Sequence, residues 1–246
     1  MTGPRAALFN LTFYVVTGLF LVLGSPLLLG PRSWAMQGLR AHAIACCWLM
    51  RWMVGTKVEV RGRDRLPKGA VLVAAKHQSA WDTFGLVLVF DDPALIMKAE
   101  LRRIPFYGWF SAKFGMIFVA RERGASALKA MLKDAKARAA EGRQILIFPE
   151  GNRRPPGAPP DYKPGVVALY ESLGLPCVPV AVNSGLFWPR RQFMRFPGTI
   201  VVEVLEPIPP GLSRAEFLAR LQTVVEDATA RLVREAGQSD RPGRVA

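Results

Sequence analysis

Seven short apolar runs, most of them rich in β-branched residues, constrain the fold of this chain more than any other feature of its sequence. Segments with helical spacing of apolar residues lie between several of them. Strands that alternate with helices indicate a mostly parallel sheet covered on both faces. We therefore predict an α/β fold: a mostly parallel central sheet of about seven strands flanked by helices. The runs are residues 57–62, 70–75, 94–98, 116–120, 144–149, 177–183 and 199–207.

Helices are predicted between and after these runs, and the last one carries a start signal. Ser213 is followed three residues later by Glu216, which is the pattern of a capping box. Residues 237–246 are predicted to form a flexible tail. The predicted helices are Trp81–Phe90, Ala125–Glu141, Val166–Leu173 and Ser213–Ala236.

The N-terminal segment differs from the rest of the chain. Between Arg5 and Arg32 lie 26 residues without a charge, more than the roughly 20 that cross the hydrocarbon core of a bilayer. A signal peptide is the competing interpretation, but its apolar region runs about 7–15 residues and ends at a small-residue cleavage site. The run here is longer and lacks a clear site of that kind. We predict a retained membrane helix that Pro26 kinks or ends.

A second helix is predicted over Ser33–Val54, and its three tryptophans suit a membrane–water interface. A core helix of a soluble protein is the alternative. The two helices predict a membrane-anchoring element at residues 1–54, followed by one domain at 55–236. Whether residues 6–31 span the bilayer or lie in one leaflet stays open at this point.

The charge of the chain indicates an anionic partner. The 246 residues include 33 Lys and Arg against 19 Asp and Glu, a net charge of +14. Nucleic acid, an anionic membrane surface and a phosphorylated substrate all fit such a charge. Cys46, Cys47 and Cys177 offer neither a disulfide framework nor the spacing of a metal site, and they fit a reducing cytoplasmic setting.

His77 and Asp82 follow the apolar run that ends at Ala75, where sites are commonly built in α/β sheets. A neutral imidazole accepts a proton from a hydroxyl when its other nitrogen donates to a carboxylate. Five residues of separation allow Asp82, in a first helical turn, to reach back to His77. Lys76 is expected to disfavour a second positive charge on His77. A helix-capping aspartate beside an incidental histidine is the alternative.

Three further strand ends present charged residues. Lys98 closes one strand, Arg121 follows another, and the stretch FPEGNR places Glu150 and Arg153 after a third. The guanidinium of arginine binds phosphate through bidentate hydrogen bonds, and a carboxylate accepts a hydrogen bond from a hydroxyl. If these strands are parallel, a base faces a cluster of cations at one edge, which suits a phosphate-bearing substrate with a hydroxyl to activate. Solvated surface charges are the alternative.

One more basic segment, Trp188–Gly198, alternates arginine with aromatic residues. Such a mixture is able to contact anionic headgroups while the rings enter the interface. It equally suits an acidic acyl carrier protein, or a plain surface loop.

Taken together, these blocks resemble the 1-acyl-glycerol-3-phosphate acyltransferase family of the glycerolipid acyltransferase superfamily. The likeness covers roughly residues 56–207. The matching blocks are H-x-x-x-x-D at His77–Asp82, G-x-x-F-x-x-R at Gly115–Arg121, F-P-E-G-x-R at Phe148–Arg153, and V-P-V at Val178–Val180.

The resemblance implies an acyltransferase domain at residues 55–236 that moves an acyl chain from acyl-CoA or acyl carrier protein to the sn-2 hydroxyl of lysophosphatidic acid, giving phosphatidic acid. His77 would be the general base and Asp82 its orienting partner, with neither a cofactor nor a metal. The family's N-terminal helices seat it on the membrane, here expected at the cytoplasmic face of the inner membrane. Five residues would bind the acceptor: Lys98, Arg121 and Arg153 through its phosphate, and Glu150 and Gly151 by shaping its pocket.

Three positions depart from the family pattern: Lys76 replaces the usual Asn, Ala120 a frequent Asp, and Asn152 the usual Thr or Ser. These departures leave the acceptor open, because relatives acylate other lysolipids, including lyso-ornithine lipids. A non-catalytic protein that binds anionic lipid is the rival of another class. A nucleic-acid binder is disfavoured, since the sequence has no nucleic-acid-reading motif and its N-terminal run favours lipid.

Overall fold

A computed structural model of the protein describes residues 3–239. The sheet contains seven strands in the order β1-β7-β6-β2-β5-β3-β4. Adjacent strands pair in parallel except β6 and β7, which are antiparallel. The strands are β1 (Thr56–Arg61), β2 (Leu72–Ala75), β3 (Pro93–Lys98), β4 (Ile117–Val119), β5 (Gln144–Ile147), β6 (Cys177–Val182) and β7 (Gly198–Val204).

The predicted α/β fold is confirmed, and each of the seven predicted runs overlaps a strand. Seven α-helices accompany the sheet within the described residues. They are α1 (Gly3–Leu23), α2 (Arg32–Leu49), α3 (Asp82–Gly85), α4 (Tyr107–Lys113), α5 (Ala125–Ala140), α6 (Gly165–Leu173) and α7 (Arg214–Ser239).

The helices cover both faces of the sheet, as a parallel sheet requires. Val73 and Ala75 of β2 face the core that includes α1, α2 and α3. Leu72 and Ala74, whose side chains point the other way, face the core formed with α5, α6 and α7. Both faces of β2 are buried, which explains why its sequence is continuously apolar.

Two helix predictions differ in length from the structure. The helix predicted over Trp81–Phe90 is one α-helical turn, α3, followed by a 3₁₀ turn at Leu86–Leu88. The β-branched Val87 and Val89 disfavour continuation of the α-helix. At the C-terminus, the Ser213–Glu216 capping box is confirmed, with Ser213 N donating to Glu216 Oε2 at 3.0 Å. Helix α7 continues to Ser239, and residues 240–246 of the predicted tail lie outside the described residues.

The N-terminal helices form a hairpin that is fastened to the sheet domain. Helix α1 ends before Pro26, which lies in a 3₁₀ turn. Arg32 of α2 makes a bidentate contact with Asp92 at 2.8 and 2.7 Å. Phe9 of α1 is fully buried and meets Trp188 edge to face, with ring centroids 5.6 Å apart. The hairpin therefore shares the core of the domain that follows it.

The outer surface of this hairpin is apolar. By length and composition, α1 is able to cross a membrane, and only 11% of its apolar window is buried against the protein. At about 1.5 Å per residue, its 21 residues reach the thickness of a hydrocarbon core. The exposed large side chains are Leu8, Leu11, Tyr14, Val15, Leu19, Val22 and Leu23 on α1, and Trp34, Ile44 and Trp48 on α2.

We predict that Phe9→Ala lowers the free energy of unfolding in detergent by about 3 kcal/mol, because it removes a fully buried aromatic ring. Chemical denaturation followed by tryptophan fluorescence measures the loss. Leu11→Ala, on the same helix but 63% exposed, is the matched control and should change the stability little. Equal effects of the two substitutions would contradict the docking of α1 on the domain.

Candidate active site

Four neighbouring strands end at the same edge of the sheet. β2, β5, β3 and β4 lie side by side and run parallel. Their carboxyl ends deliver, in the same order, His77, the loop of residues 148–153, Lys98 and Arg121. The convergence expected from the sequence is therefore present.

His77 and Asp82 form a close pair. His77 Nδ1 lies 2.9 Å from Asp82 Oδ2, and the Asp82 side chain is fully buried. The backbone N–H groups of Gln78 and Ser79 each donate to Oδ2 at 2.8 Å. Ser184, in the turn after β6, donates its hydroxyl to Oδ1 at 2.5 Å. The carboxylate thus accepts four hydrogen bonds, which fix its plane and leave Nδ1 of His77 as a donor.

Ser184 was missed by the sequence analysis. It lies 102 residues from Asp82 in the chain, and no local pattern connects the two. The late block Val178–Val180 was the only signal near it, because the strand that contains this block leads into the turn with Ser184.

The face of the His77 imidazole is packed as well. It stacks on Phe148 with ring centroids 4.0 Å apart and an angle of 18°. With Nδ1 donating to Asp82, the lone pair of Nε2 is free to accept a proton. His77 lines the main cavity of the protein, so a hydroxyl bound there has access to this nitrogen.

This cavity has a volume of about 1440 Å³, above the range of about 300–1,000 Å³ usual for small-molecule sites. Side chains of α1, α2 and α4 make much of its wall apolar, including Phe20, Leu39, Phe110 and Phe114. Its polar lining residues include His77, Lys98, Arg121, Asn152, Arg153, Lys163 and Arg190. A long apolar chain with an anionic end matches this combination.

Three of the predicted cations reach the cavity, and two arginines also hold the loop at its edge. Arg121 Nη1 donates to the carbonyl of Gly151 at 2.7 Å. Gly151 has φ +69°, and a Cβ there would lie 2.7 Å from Arg121 Nη1, so glycine is required for this approach. Arg190 Nη1 donates to the carbonyl of Arg153 at 2.9 Å. Lys98 is exposed at the end of β3.

Arg190 is a second residue whose place the sequence did not indicate. From the sequence, its segment suited lipid headgroups, a carrier protein or a plain surface loop, whereas the structure places Arg190 in the cavity wall. Arg190 and its neighbour Arg191 are both exposed, but Arg191 does not line the cavity, and Phe193 is 55% exposed. Arg195 is buried, with its guanidinium 4.6 Å from the ring centroid of Trp188. The segment is therefore divided between site, core and surface.

Glu150 does not line the cavity. Its side chain is buried and accepts a hydrogen bond from Lys76 Nζ at 3.0 Å. The chain turns at Gly151, so Glu150 and the cavity-lining Arg153 point to different sides of the loop. Burial raises the pKa of the Glu150 carboxyl, and the nearby Lys76 opposes that rise. The structure thus gives Glu150 a partner behind the loop in place of the expected position beside an acceptor.

Lys76 also points away from the cavity. Its ammonium group is almost fully buried and lies 2.7 and 2.9 Å from the two carboxylate oxygens of Glu226 on α7. It is therefore engaged on the side of the loop opposite the cations of the cavity. In the part of the chain that the structure describes, no three His, Cys, Asp or Glu side chains are grouped to hold a metal ion.

The chain matches the family model described as "Acyltransferase" over residues 57–183. It is 38% identical over 157 residues to the 1-acyl-sn-glycerol-3-phosphate acyltransferase of Pseudomonas aeruginosa, an alignment that covers 64% of this chain and 61% of that relative. It is 29% identical over 200 residues to the lyso-ornithine lipid O-acyltransferase of the same organism, covering 72% of this chain and 75% of the relative. The chain thus spans about three fifths of the length of the first relative.

A solved structure shares the whole architecture. The crystal structure of the 1-acyl-sn-glycerophosphate acyltransferase PlsC from Thermotoga maritima matches with a TM-score of 0.81 at 23% identity, covering 99% of this chain and all of that one. The likeness supports the fold described above, including the N-terminal hairpin.

We predict that Nδ1 of His77 carries the proton in the resting protein and that Asp82→Ala shifts the imidazole towards the Nε2–H tautomer, because it removes the carboxylate that accepts from Nδ1. The chain has only two histidines, so ¹⁵N spectra of the labelled imidazoles report this tautomer. Ser126→Ala, which removes an exposed hydroxyl on α5, is the control. A wild-type His77 protonated on Nε2 would contradict the assignment.

Proposed function

The chain belongs to the acyltransferase family, and from that premise we propose that it transfers an acyl chain from an acyl thioester to the sn-2 hydroxyl of lysophosphatidic acid, giving phosphatidic acid. The carrying observation is the His77–Asp82 pair at the wall of an apolar cavity whose polar part contains Lys98, Arg121 and Arg153. A base beside an anion-binding group and an apolar chamber suits a lysolipid with a phosphate headgroup.

The geometry supports direct transfer. His77 Nε2 accepts the hydroxyl proton while the hydroxyl oxygen attacks the thioester carbonyl. The negative charge of Asp82 stabilises the imidazolium that forms. When the tetrahedral intermediate collapses, the C–S bond breaks and the thiolate takes the proton back from His77. Each proton and bond is then accounted for without an acyl-enzyme, and the mechanism needs neither a metal nor a cofactor beyond the acyl-CoA or acyl carrier protein thioester.

The cations are assigned to the acceptor. Arg153 and Lys98 line the cavity, which supports their assignment to its phosphate, and Arg121 contributes charge while it supports Gly151. Glu150 is assigned a supporting role, because it binds Lys76 on the side of the loop away from the cavity. A lyso-ornithine lipid, the acceptor in the name of one relative, presents a different headgroup to the same base and is the first alternative acceptor.

The N-terminal hairpin is proposed to seat the enzyme in one leaflet, at the cytoplasmic face of the inner membrane. Contacts with the domain lie in the first half of α1, from Phe9 on Trp188 to Phe13 on Phe84, and beyond them Thr17 contacts His42 of α2. A helix that is held by its domain and by α2 in this way is better suited to lie within a leaflet than to cross the bilayer alone. Its exposed apolar side then faces lipid and brings the cavity to membrane-bound acceptors.

The main experiment is a panel of lysolipid acceptors against acyl-CoA and acyl carrier protein donors, with products read by mass spectrometry. We expect phosphatidic acid from lysophosphatidic acid, and His77→Ala should lower turnover by ~10²–10⁴-fold or more. Thermal unfolding of the variant serves as the folding control. Wild-type turnover by His77→Ala would remove the base assignment, and absence of product with every acceptor would favour a non-catalytic lipid-binding protein.

A matched pair of substitutions separates the site from the surface of the basic segment. Arg190→Glu should raise the KM for a phosphate-bearing acceptor about tenfold or more, because it places a negative charge in the cavity wall. Arg191→Glu, at the exposed neighbouring position, should instead weaken binding to liposomes that contain anionic lipid. Equal effects of both substitutions on the KM would contradict the assignment of Arg190 to the site.

A further inference from the structure

A buried cluster of three charged side chains lies directly behind the candidate active site. Lys76 Nζ is 3.0 Å from Glu150 Oε1 and 2.7 Å from Glu226 Oε1. The side chains of Lys76 and Glu150 are 3% and 1% exposed, and that of Glu226 is 24% exposed. One ammonium group therefore serves two carboxylates from distant parts of the chain.

One ammonium group faces two carboxylates in this cluster, so its formal charges do not cancel when both carboxylates are ionised. Tyr162 donates its hydroxyl to Glu226 Oε1 at 3.0 Å, which adds a hydrogen bond but no charge. Glu150 Oε2 is buried without a hydrogen-bond partner in the described residues. Burial first, and then Glu226, raises the pKa of Glu150, while Lys76 and Arg154 lower it. Lys76 is thus the main group that stabilises Glu150 as an anion.

Each member of the cluster belongs to a different element. Lys76 follows β2 and immediately precedes His77, whereas Glu150 precedes Gly151 in the loop after β5. Glu226 lies in the middle of α7. The cluster therefore joins the segment with the base to the loop with Arg153, and it joins both to the C-terminal helix.

The loop is held on its other side by the cavity cations. Arg121 binds the carbonyl of Gly151, and Arg190 binds the carbonyl of Arg153. Backbone contacts complete the attachment, because Arg154 N donates to the carbonyl of His77 at 2.8 Å. The Lys76–Glu150 contact is the side-chain anchor of this loop on the side away from the cavity.

We propose that Lys76 is a positioning residue: by binding Glu150 and Glu226 together, it fixes the loop of residues 148–153 against the end of β2 and so sets the position of Arg153 relative to His77. The proposal rests on the proposed function for its kinetic consequence, and on the cluster alone for its structural one. It also gives α7 a role at the site, since Glu226 holds the ammonium group in place.

A purely stabilising role is the competing explanation, and the location of the cluster opposes it. Ion pairs buried in a protein gain little net stability, because desolvation offsets their attraction. A charged anchor nevertheless imposes a specific geometry on the groups that it joins. Here the joined groups are the residue beside the base and the loop with the acceptor cation.

The test compares Lys76→Met with a control on the same helix. Arg231 of α7 binds Glu203 of β7 at 2.7 Å, so Arg231→Met also removes an ion pair between α7 and the rest of the protein. Arg231 does not line the cavity. Hydrogen exchange of the full-length protein in detergent reports the loop directly through the amides of Gly151 and Arg154, which bond to Phe148 and His77.

We expect Lys76→Met to speed exchange at Gly151 and Arg154 and to raise the KM for the lysolipid acceptor about tenfold or more, since misplacement of a binding group by about 1 Å has effects of this size. Arg231→Met should lower the Tm without either change. Adding Glu226→Gln to Lys76→Met removes one uncompensated carboxylate, so it should recover part of the Tm but leave the KM raised.

Three results would overturn the proposal. They are wild-type exchange at Gly151 and Arg154 in folded Lys76→Met, the same exchange pattern in Arg231→Met, or recovery of the KM together with the Tm in the double variant. If Lys76→Met does not fold, the single variant Glu226→Gln provides the test. An unchanged KM and unchanged exchange of the Gly151 and Arg154 amides in that variant would reject the positioning role of Lys76. If the wild type acylates no lysolipid, the proposed function fails while the exchange measurement still decides the anchoring.

Discussion

The site depends on the parallel pairing of four neighbouring strands. Because β2, β5, β3 and β4 run in the same direction, their carboxyl ends meet at one edge. A residue that follows a strand there is within reach of residues that follow the others. An antiparallel partner among the four would send one end to the opposite edge and remove either His77 or a cation from the cluster. The one antiparallel pair, β6 with β7, lies outside this group of four.

Charged side chains hold the loop after β5 on both of its sides. Arg121 and Arg190 hold its carbonyl groups from the cavity side, and Lys76 holds Glu150 from behind. The loop contains a left-handed glycine and no regular structure, so its own backbone does not fix it. Side chains from three other parts of the chain instead help to fix its position.

The N-terminal hairpin is both a part of the protein core and an exposed apolar surface. Its inner side contributes Phe9 and the α2 residues Ala43 and Cys46 to the same core that supports β2. Its outer side is apolar and exposed, and the wall of the cavity is built partly from α1 and α2. An element that is at once core, cavity wall and apolar surface links the site to its lipid environment.

The sequence by itself determined the fold class, the seven strands, the two N-terminal helices and the convergence of His77, Lys98, Arg121 and Arg153 at one edge of the sheet. Burial on two faces requires continuous apolar runs, and the contact between His77 and Asp82 spans only five residues, so local patterns carry this information. Tertiary structure alone decided the roles of residues that act across distance. Ser184 meets Asp82 from 102 residues away, and Lys76 meets Glu226 from 150 residues away. The direction of a side chain at a loop, such as that of Glu150, also depends on which partner the fold brings near. Hydrogen bonds and ion pairs between distant segments leave no periodic trace in the sequence, and only the packed sheet and helices create them.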